Sequence, residues 1–216
     1  EDDIKNLSAY INKNMWSERD GFLYDQYAND SLSTTQGIYA YWALHTDVLP
    51  KQRLDRLVEH LDDTCKFNRP HRVASLAADN PKYKANGRYW EGGVWPGTNY
   101  MVVSGHVEKG YRRLAHDLVM HHYNNVLKVI VGWTGLPPIA DLIEYIFGIR
   151  ADIQDSHVTL DVQLLDAYGI DRYPLGADGN ISFKVAKRSS VNEKSKVTIN
   201  TNIPFKLTLI WGDGES

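Results

Sequence analysis

The sequence predicts a mainly α protein, helical hairpins followed by a small antiparallel β segment. Two observations carry that prediction. Apolar residues recur at helical spacing through most of the first 150 positions, and Tyr111, Leu114, Ala115, Leu118, Val119, His122, Tyr123, Val126 and Leu127 keep the rhythm longest. After Asp155 the period drops to two, in Val158-Leu160-Val162, Ile181-Phe183-Val185, Val197-Ile199 and Phe205-Leu207-Leu209, as in half-buried strands. The change divides the chain into a helical region, 1–155, and a β region, 156–216.

Each element follows from local spacing. Ile4, Leu7, Ile11 and Met15 form the stripe of a first helix over 2–14. Residues 15–31 read as a loop with an Asp20-Gly21 turn. Ser33-x-x-Gln36 is a capping box for a second helix reaching His45. Pro50 suits the first turn of a third, with Leu54, Leu57, Val58 and Leu61 on one face. The short link between these two makes them antiparallel neighbours. From Thr64 to Gly97 no helical period survives, and ordered loops of that length usually carry function. A short helix over Asn99–Gly105 precedes the long one, and Pro137-Pro138 opens a last helix that Gly148 stops. Asp178-Gly179 is a hairpin turn.

Composition narrows the function. The 216 residues suffice for one large domain, and 43% hydrophobic with 24% charged residues is ordinary for a globular protein. A net charge of −3 without a basic run recommends neither nucleic acid nor an anionic membrane as partner. No run of apolar residues is long enough to span a bilayer. The chain opens on Glu1-Asp2-Asp3, which is not a secretory leader. Cys65 stands alone, so no internal disulfide is expected. His116 and His121 lack metal-ligand spacing, Asp152, Asp155 and Asp178 lack that of a calcium loop, and Gly92-Gly93 follows no strand of a phosphate-binding unit. No metal or cofactor is expected.

The functional expectation rests on residues 88–100, Arg-Tyr-Trp-Glu-Gly-Gly-Val-Trp-Pro-Gly-Thr-Asn-Tyr. Gly92 and Gly93 allow close backbone approach. Trp90 and Trp95 offer broad apolar faces suited to stacking on the C–H face of a sugar. Core burial is the plainer reading of each tryptophan, but the clustering with glycine and polar groups at a loop-to-helix junction favours a site. Thirteen tyrosines modestly favour a polar-ligand surface.

Tyr89-Trp90-x-Gly-x-Val-Trp95-Pro96-x-Thr98-Asn99-Tyr100 resembles the signature of six-hairpin (α/α)6-barrel glycosidases, close to the mannosylglycerate-hydrolase-like and family 63 glycoside hydrolases and more distantly to trehalases. Trp16-x-x-x-x-Gly21-Phe22-x-Tyr24-Asp25 and Gly132-Trp133-Thr134-Gly135-Leu136 extend the resemblance in the same order. It implies an (α/α)6 toroid, of which this chain holds about half, and inverting hydrolysis of an α-glucoside or α-mannoside of a small or oligomeric sugar. By the resemblance Trp90, Trp95 and Trp133 stack on sugar from one concave surface, and Asn99 and Tyr100 are hydrogen-bonding or supporting residues. Glu91 departs from the pattern; it is a polar contact and a low-ranking catalytic candidate, against the plainer reading of a surface carboxylate paired with Arg88. The family's general acid would lie before residue 1, and its general base in a loop missing between Val129 and Ile130. Neither transfers to a numbered residue, so the chain alone is expected to be inactive. The resemblance leans towards a periplasmic or extracellular setting. Half a barrel leaves open helix faces, so a partner chain or homo-oligomer is expected to cover them. The alternatives are a catalytically inactive carbohydrate-binding domain and a structural or interaction domain.

Overall fold

The computed structural model describes residues 2–126 and 136–212. Helix α1 (Asp2–Asn14) begins with Asp2 and Asp3 and ends near Lys13, the charge order that suits a helix dipole. It has no buried residue, and Ile4 and Leu7 are exposed. A two-residue-per-strand hairpin follows, β1 (Trp16–Ser17) against β2 (Phe22–Leu23). Residues Ile38–His45 then form a 3-10 helix rather than the α-helix the capping box predicts. The sequence shows why. Ile38, Tyr41 and Leu44, spaced by three, are fully buried, whereas Tyr39 and Trp42 form a second, exposed column. A helix with three residues per turn eclipses i and i+3 and so separates these columns cleanly.

Helix α2 (Lys51–Glu59) starts at Pro50 and buries Leu54, Leu57 and Val58. Helix α3 (Pro96–Glu108) is longer than expected and packs on the 3-10 helix and on α4 (Arg112–Val126). Gly105 makes the first contact possible, because a Cβ there would meet the Leu44 Cβ at 2.8 Å. Helix α5 (Leu136–Asp141) runs on into a π turn (Leu142–Ile146). The apolar sides of these elements form one core around Phe22, Tyr41, Phe67, Val102 and Leu118. His122 and Asp141 are fully buried beside it, 3.9 Å apart. Burial lowers the His122 pKa to about 4 and raises that of Asp141 to about 8. Both are therefore neutral near pH 7, and their approach is not an ion pair.

Six strands follow: β3 (Ile149–Asp152), β4 (His157–Val162), β5 (Tyr168–Leu175), β6 (Gly179–Val185), β7 (Val197–Thr201) and β8 (Lys206–Trp211). They make two three-stranded sheets, ordered β3-β4-β8 and β5-β6-β7. Val158, Leu160 and Val162 from one sheet and Ile181, Phe183 and Val185 from the other share a second core. Arg112 on α4 ties the two parts together, with Nε and Nη2 donating to both carboxylate oxygens of the buried Asp161 on β4 at 2.8 and 3.0 Å.

The expectation of a mainly α chain is therefore corrected: among the described residues 34% is helical and 22% strand, in three sheets. The stretch from Leu61 to Arg88, read as part of a long loop, contributes no helix. Strand residues are more numerous because β3 and β5 also form: β3 alternates over only four residues, and the alternation of β5 is broken between Ile170 and Tyr173. The β segment is also not wholly antiparallel: β4 and β8 pair in parallel, His157 opposite Lys206 through Val162 opposite Trp211. The whole β5-β6-β7 sheet lies between them in the chain, and so long a crossover lets two strands run the same way. Trp133 and the Val129–Ile130 junction lie outside the described residues.

Candidate functional site

The aromatic signature is placed by a rib, residues 72–77, in which every residue is buried. Ile38 N–H donates to the Ser75 carbonyl at 3.1 Å, and Ser75 N–H donates to the Gly93 carbonyl at 2.9 Å. The rib thus joins the start of the 3-10 helix to the Gly92-Gly93 turn. Asn99 locks the same rib from α3. Its Oδ1 accepts from Val73 N–H at 2.8 Å, and its Nδ2 donates to the Val73 and Trp95 carbonyls, each at 3.0 Å. Both glycines are needed at the turn. Gly92 has φ +140°, where L side chains are strained, and a Cβ on Gly93 would sit 2.4 Å from the Tyr89 carbonyl.

Upon this support a short 3-10 turn, Tyr89–Glu91, presents Trp90, which is 47% exposed. Its indole stacks on Trp95, with centroids 5.0 Å apart and planes 28° from parallel, and Tyr89 meets Trp95 edge-on at 5.4 Å. Trp95, the residue capping the start of α3, is half-buried and backs Trp90. Trp90 and Glu91 line a cleft of about 420 Å³, faced also by Tyr39, Trp42, Ser75 and Thr98. The cleft therefore joins aromatic faces to a carboxylate and hydroxyls, the combination that grips a sugar ring by its C–H face and its hydroxyls.

Not every sequence candidate reaches this cleft. Trp90 and Glu91 line it, whereas Trp95 stands behind Trp90 and Asn99 is spent on the rib. Tyr100 points elsewhere, its hydroxyl donating to Glu144 Oε2 at 3.1 Å. Glu91 lies 3.9 Å from Arg88 Nε, and its side chain is 42% exposed. Tyr39 and Trp42 are not among the sequence candidates; the spacing by three at Ile38, Tyr41 and Leu44, which leaves them on the opposite column, is the signal that identifies them.

A second depression of about 370 Å³ shares Asn80 with the cleft as a lining residue. Asp20, Tyr24, Ser33, Gln36, Lys66 and Asp79 are among its walls. Among the described residues no group of three or more His, Cys, Asp or Glu is placed to hold a metal ion.

Known proteins share this architecture. Residues 1–128 match the family model of the mannosylglycerate hydrolase MGH1-like glycoside hydrolase domain. An uncharacterized protein of Borreliella burgdorferi is 26% identical over 125 residues, or 58% of this chain and 26% of that protein. A neutral trehalase of Saccharomyces cerevisiae aligns over 64% of this chain and 29% of its own with a TM-score of 0.54 and 17% identity. A sialidase aligns over 90% of this chain and 22% of its own with a TM-score of 0.65 and 13% identity. At such identities the solved structures speak for the fold. The chain spans about a quarter of the length of the Borreliella protein.

Proposed function

The chain belongs to the mannosylglycerate hydrolase MGH1-like glycoside hydrolase domain family, and from that premise we propose that it carries a sugar-binding portion of an inverting α-glycosidase. The observation that supports this best is Trp90, held on a rigid turn, backed by Trp95 and facing a cleft shared with Trp42 and Glu91. The substrate we propose is an α-glucoside or α-mannoside of a small or oligomeric sugar. Trp90 stacks on the ring, and Glu91, Ser75 and Thr98 hydrogen-bond its hydroxyls. Trp95 contributes by holding Trp90, and Asn99 and Tyr100 by fixing the loop and helix that bear it.

Inversion needs two carboxylates about 6.5–9.5 Å apart, an acid for the leaving oxygen and a base for the attacking water. Glu91 is the carboxylate of the signature, and its loose pairing with Arg88 fits a binding role better than a base. Titrating the 216-residue chain with methyl α-glucoside and methyl α-mannoside, followed by tryptophan fluorescence, tests the reading. Saturable binding that Trp90→Ala weakens about tenfold is expected, along with no turnover of an aryl α-glycoside. Equal binding by parent and variant refutes the cleft. A binding domain without catalysis shares the first result, and turnover by a larger assembly that contains this chain separates the two.

The open helix face belongs to the same reading. Ile4, Leu7 and Ile11 of α1, with Tyr39 and Trp42, line an apolar groove of about 740 Å³. Monomers rarely leave large apolar patches in water. We propose that helical hairpins of a partner chain cover it. A monodisperse monomer with no dye-binding apolar surface, read by light scattering, refutes this.

A further inference from the structure

The polar depression beside the cleft has a chemistry of its own, and its walls are ordered by a chain of hydrogen bonds. Lys66 Nζ donates to Gln36 Oε1 at 2.6 Å, and Gln36 Nε2 donates to the Tyr24 hydroxyl at 2.9 Å. Ser17 Oγ donates to Asp20 Oδ2 at 2.9 Å, which fixes the carboxylate on the far side. Tyr24, Ser33 and Gln36 are each more than nine-tenths buried, so the walls are rigid rather than solvated side chains.

The charges of the pocket cancel. Arg19 Nε lies 2.9 Å from Asp20, and Lys66 Nζ lies 3.7 Å from Asp79. A phosphate or carboxylate would find each cation already neutralised, and a cation would find each carboxylate paired. What remains is a set of donors and acceptors: the Ser33 hydroxyl, the second Gln36 N–H, the remaining Lys66 protons and the lone pairs of the half-exposed Asp79. The Tyr24 ring packs on Phe22, centroids 5.1 Å apart, and its hydroxyl is engaged by Gln36 and Asp20. Such a site suits a neutral ligand rich in hydroxyls, held by its edges and not by stacking.

We propose that this pocket is a second sugar subsite, taking a neutral polyhydroxylated ring of a substrate whose other ring stacks on Trp90, with Asn80 lining both sites. The proposal rests on the sugar reading of the aromatic cleft and extends it from one ring to an oligosaccharide. It assigns the work by chemistry: the cleft grips by faces, the pocket by hydroxyls.

Isothermal titration of the 216-residue chain compares methyl α-glucoside and methyl α-mannoside with the corresponding α-linked trisaccharides. The better trisaccharide is expected to bind about tenfold tighter than its methyl glycoside. Asp79→Ala and Lys66→Met are expected to remove that gain and leave methyl glycoside binding as in the parent. Asp79 is half-exposed, so its variant reports even if Lys66→Met fails to fold. A trisaccharide that binds no tighter than the methyl glycoside overturns the subsite while leaving the cleft intact. Equal losses for both ligands in Asp79→Ala also overturn it. If Trp90→Ala binds as the parent does but Asp79→Ala weakens the trisaccharide, the cleft reading fails and the pocket stands. Saturable binding of inorganic phosphate, abolished by Lys66→Met, would overturn the assignment to a neutral ligand.

Discussion

The two depressions that share Asn80 are made by opposite means. In the aromatic cleft the backbone does the positioning: a buried rib, two glycines and the Asn99 amide hold a short turn, and the indole of Trp90 is presented as a plane. In the polar pocket side chains do the positioning, through the sequence Lys66–Gln36–Tyr24 and the fixing of Asp20 by Ser17 and Arg19. A plane needs one rigid support, because stacking tolerates rotation about its normal. Hydroxyl recognition needs every donor and acceptor fixed, because hydrogen bonds weaken steeply as they bend.

The sharpest way to break the comparison is Asn99→Ala. It removes three hydrogen bonds, two of them buried, and leaves Val73 N–H without its acceptor. A buried group left unpaired costs about 1–3 kcal/mol, and the lost bonds add to it, so a total near ~3 kcal/mol is expected. Urea unfolding reads the stability. Sugar binding at the cleft is expected to fall with it, because the rib that carries the Gly92-Gly93 turn is released. A variant as stable as the parent would mean that the rib does not depend on Asn99.

Trp42→Ala comes next. Trp42 lies on the exposed column of the 3-10 helix, in the wall of the cleft and of the groove beside α1, and is not among the buried core residues. Stability is expected to hold within ~0.5 kcal/mol, as for exposed sites away from special features. Methyl glycoside binding is expected to weaken severalfold. Unchanged binding would leave Trp90 as the whole aromatic contribution and reduce the cleft to a single wall.

The smallest effect is the pH response of the pocket. Hydrogen bonds from Arg19, and then from Ser17, outweigh burial and hold the Asp20 carboxyl below its ordinary value. A carboxylate depressed in the folded state adds stability above its unfolded pKa, about 3.9, and that stability is lost as pH falls through the lower folded value. Parent and Asp20→Asn should therefore differ in urea midpoint at neutral pH and converge as the solution is made strongly acid. A difference that persists unchanged to pH 2 would show that Asp20 acts by packing and not by charge.

The sequence by itself determined the places where an element's periodicity is local. The stripe of α2, the stripe of α4 and the strands β4, β6 and β7 stand where the apolar spacing puts them. The family signature was legible for the same reason, since glycine, proline and tryptophan at fixed spacing describe one turn and the start of α3. What only the tertiary structure decided were matters of long-range partnership. Strand β8 runs parallel to β4 because it pairs across a whole intervening sheet, and no local pattern encodes a partner so distant. Residues Ile38–His45 form a 3-10 helix because one column of three faces the core around Phe22 and Phe67, so packing overrode an α-helical start signal. The division of labour within the signature was decided in the same way. Trp90 and Trp95 are equivalent in sequence, and the stack that puts one in the cleft and the other behind it depends on a rib drawn from residues 72–77, held by an asparagine on the following helix.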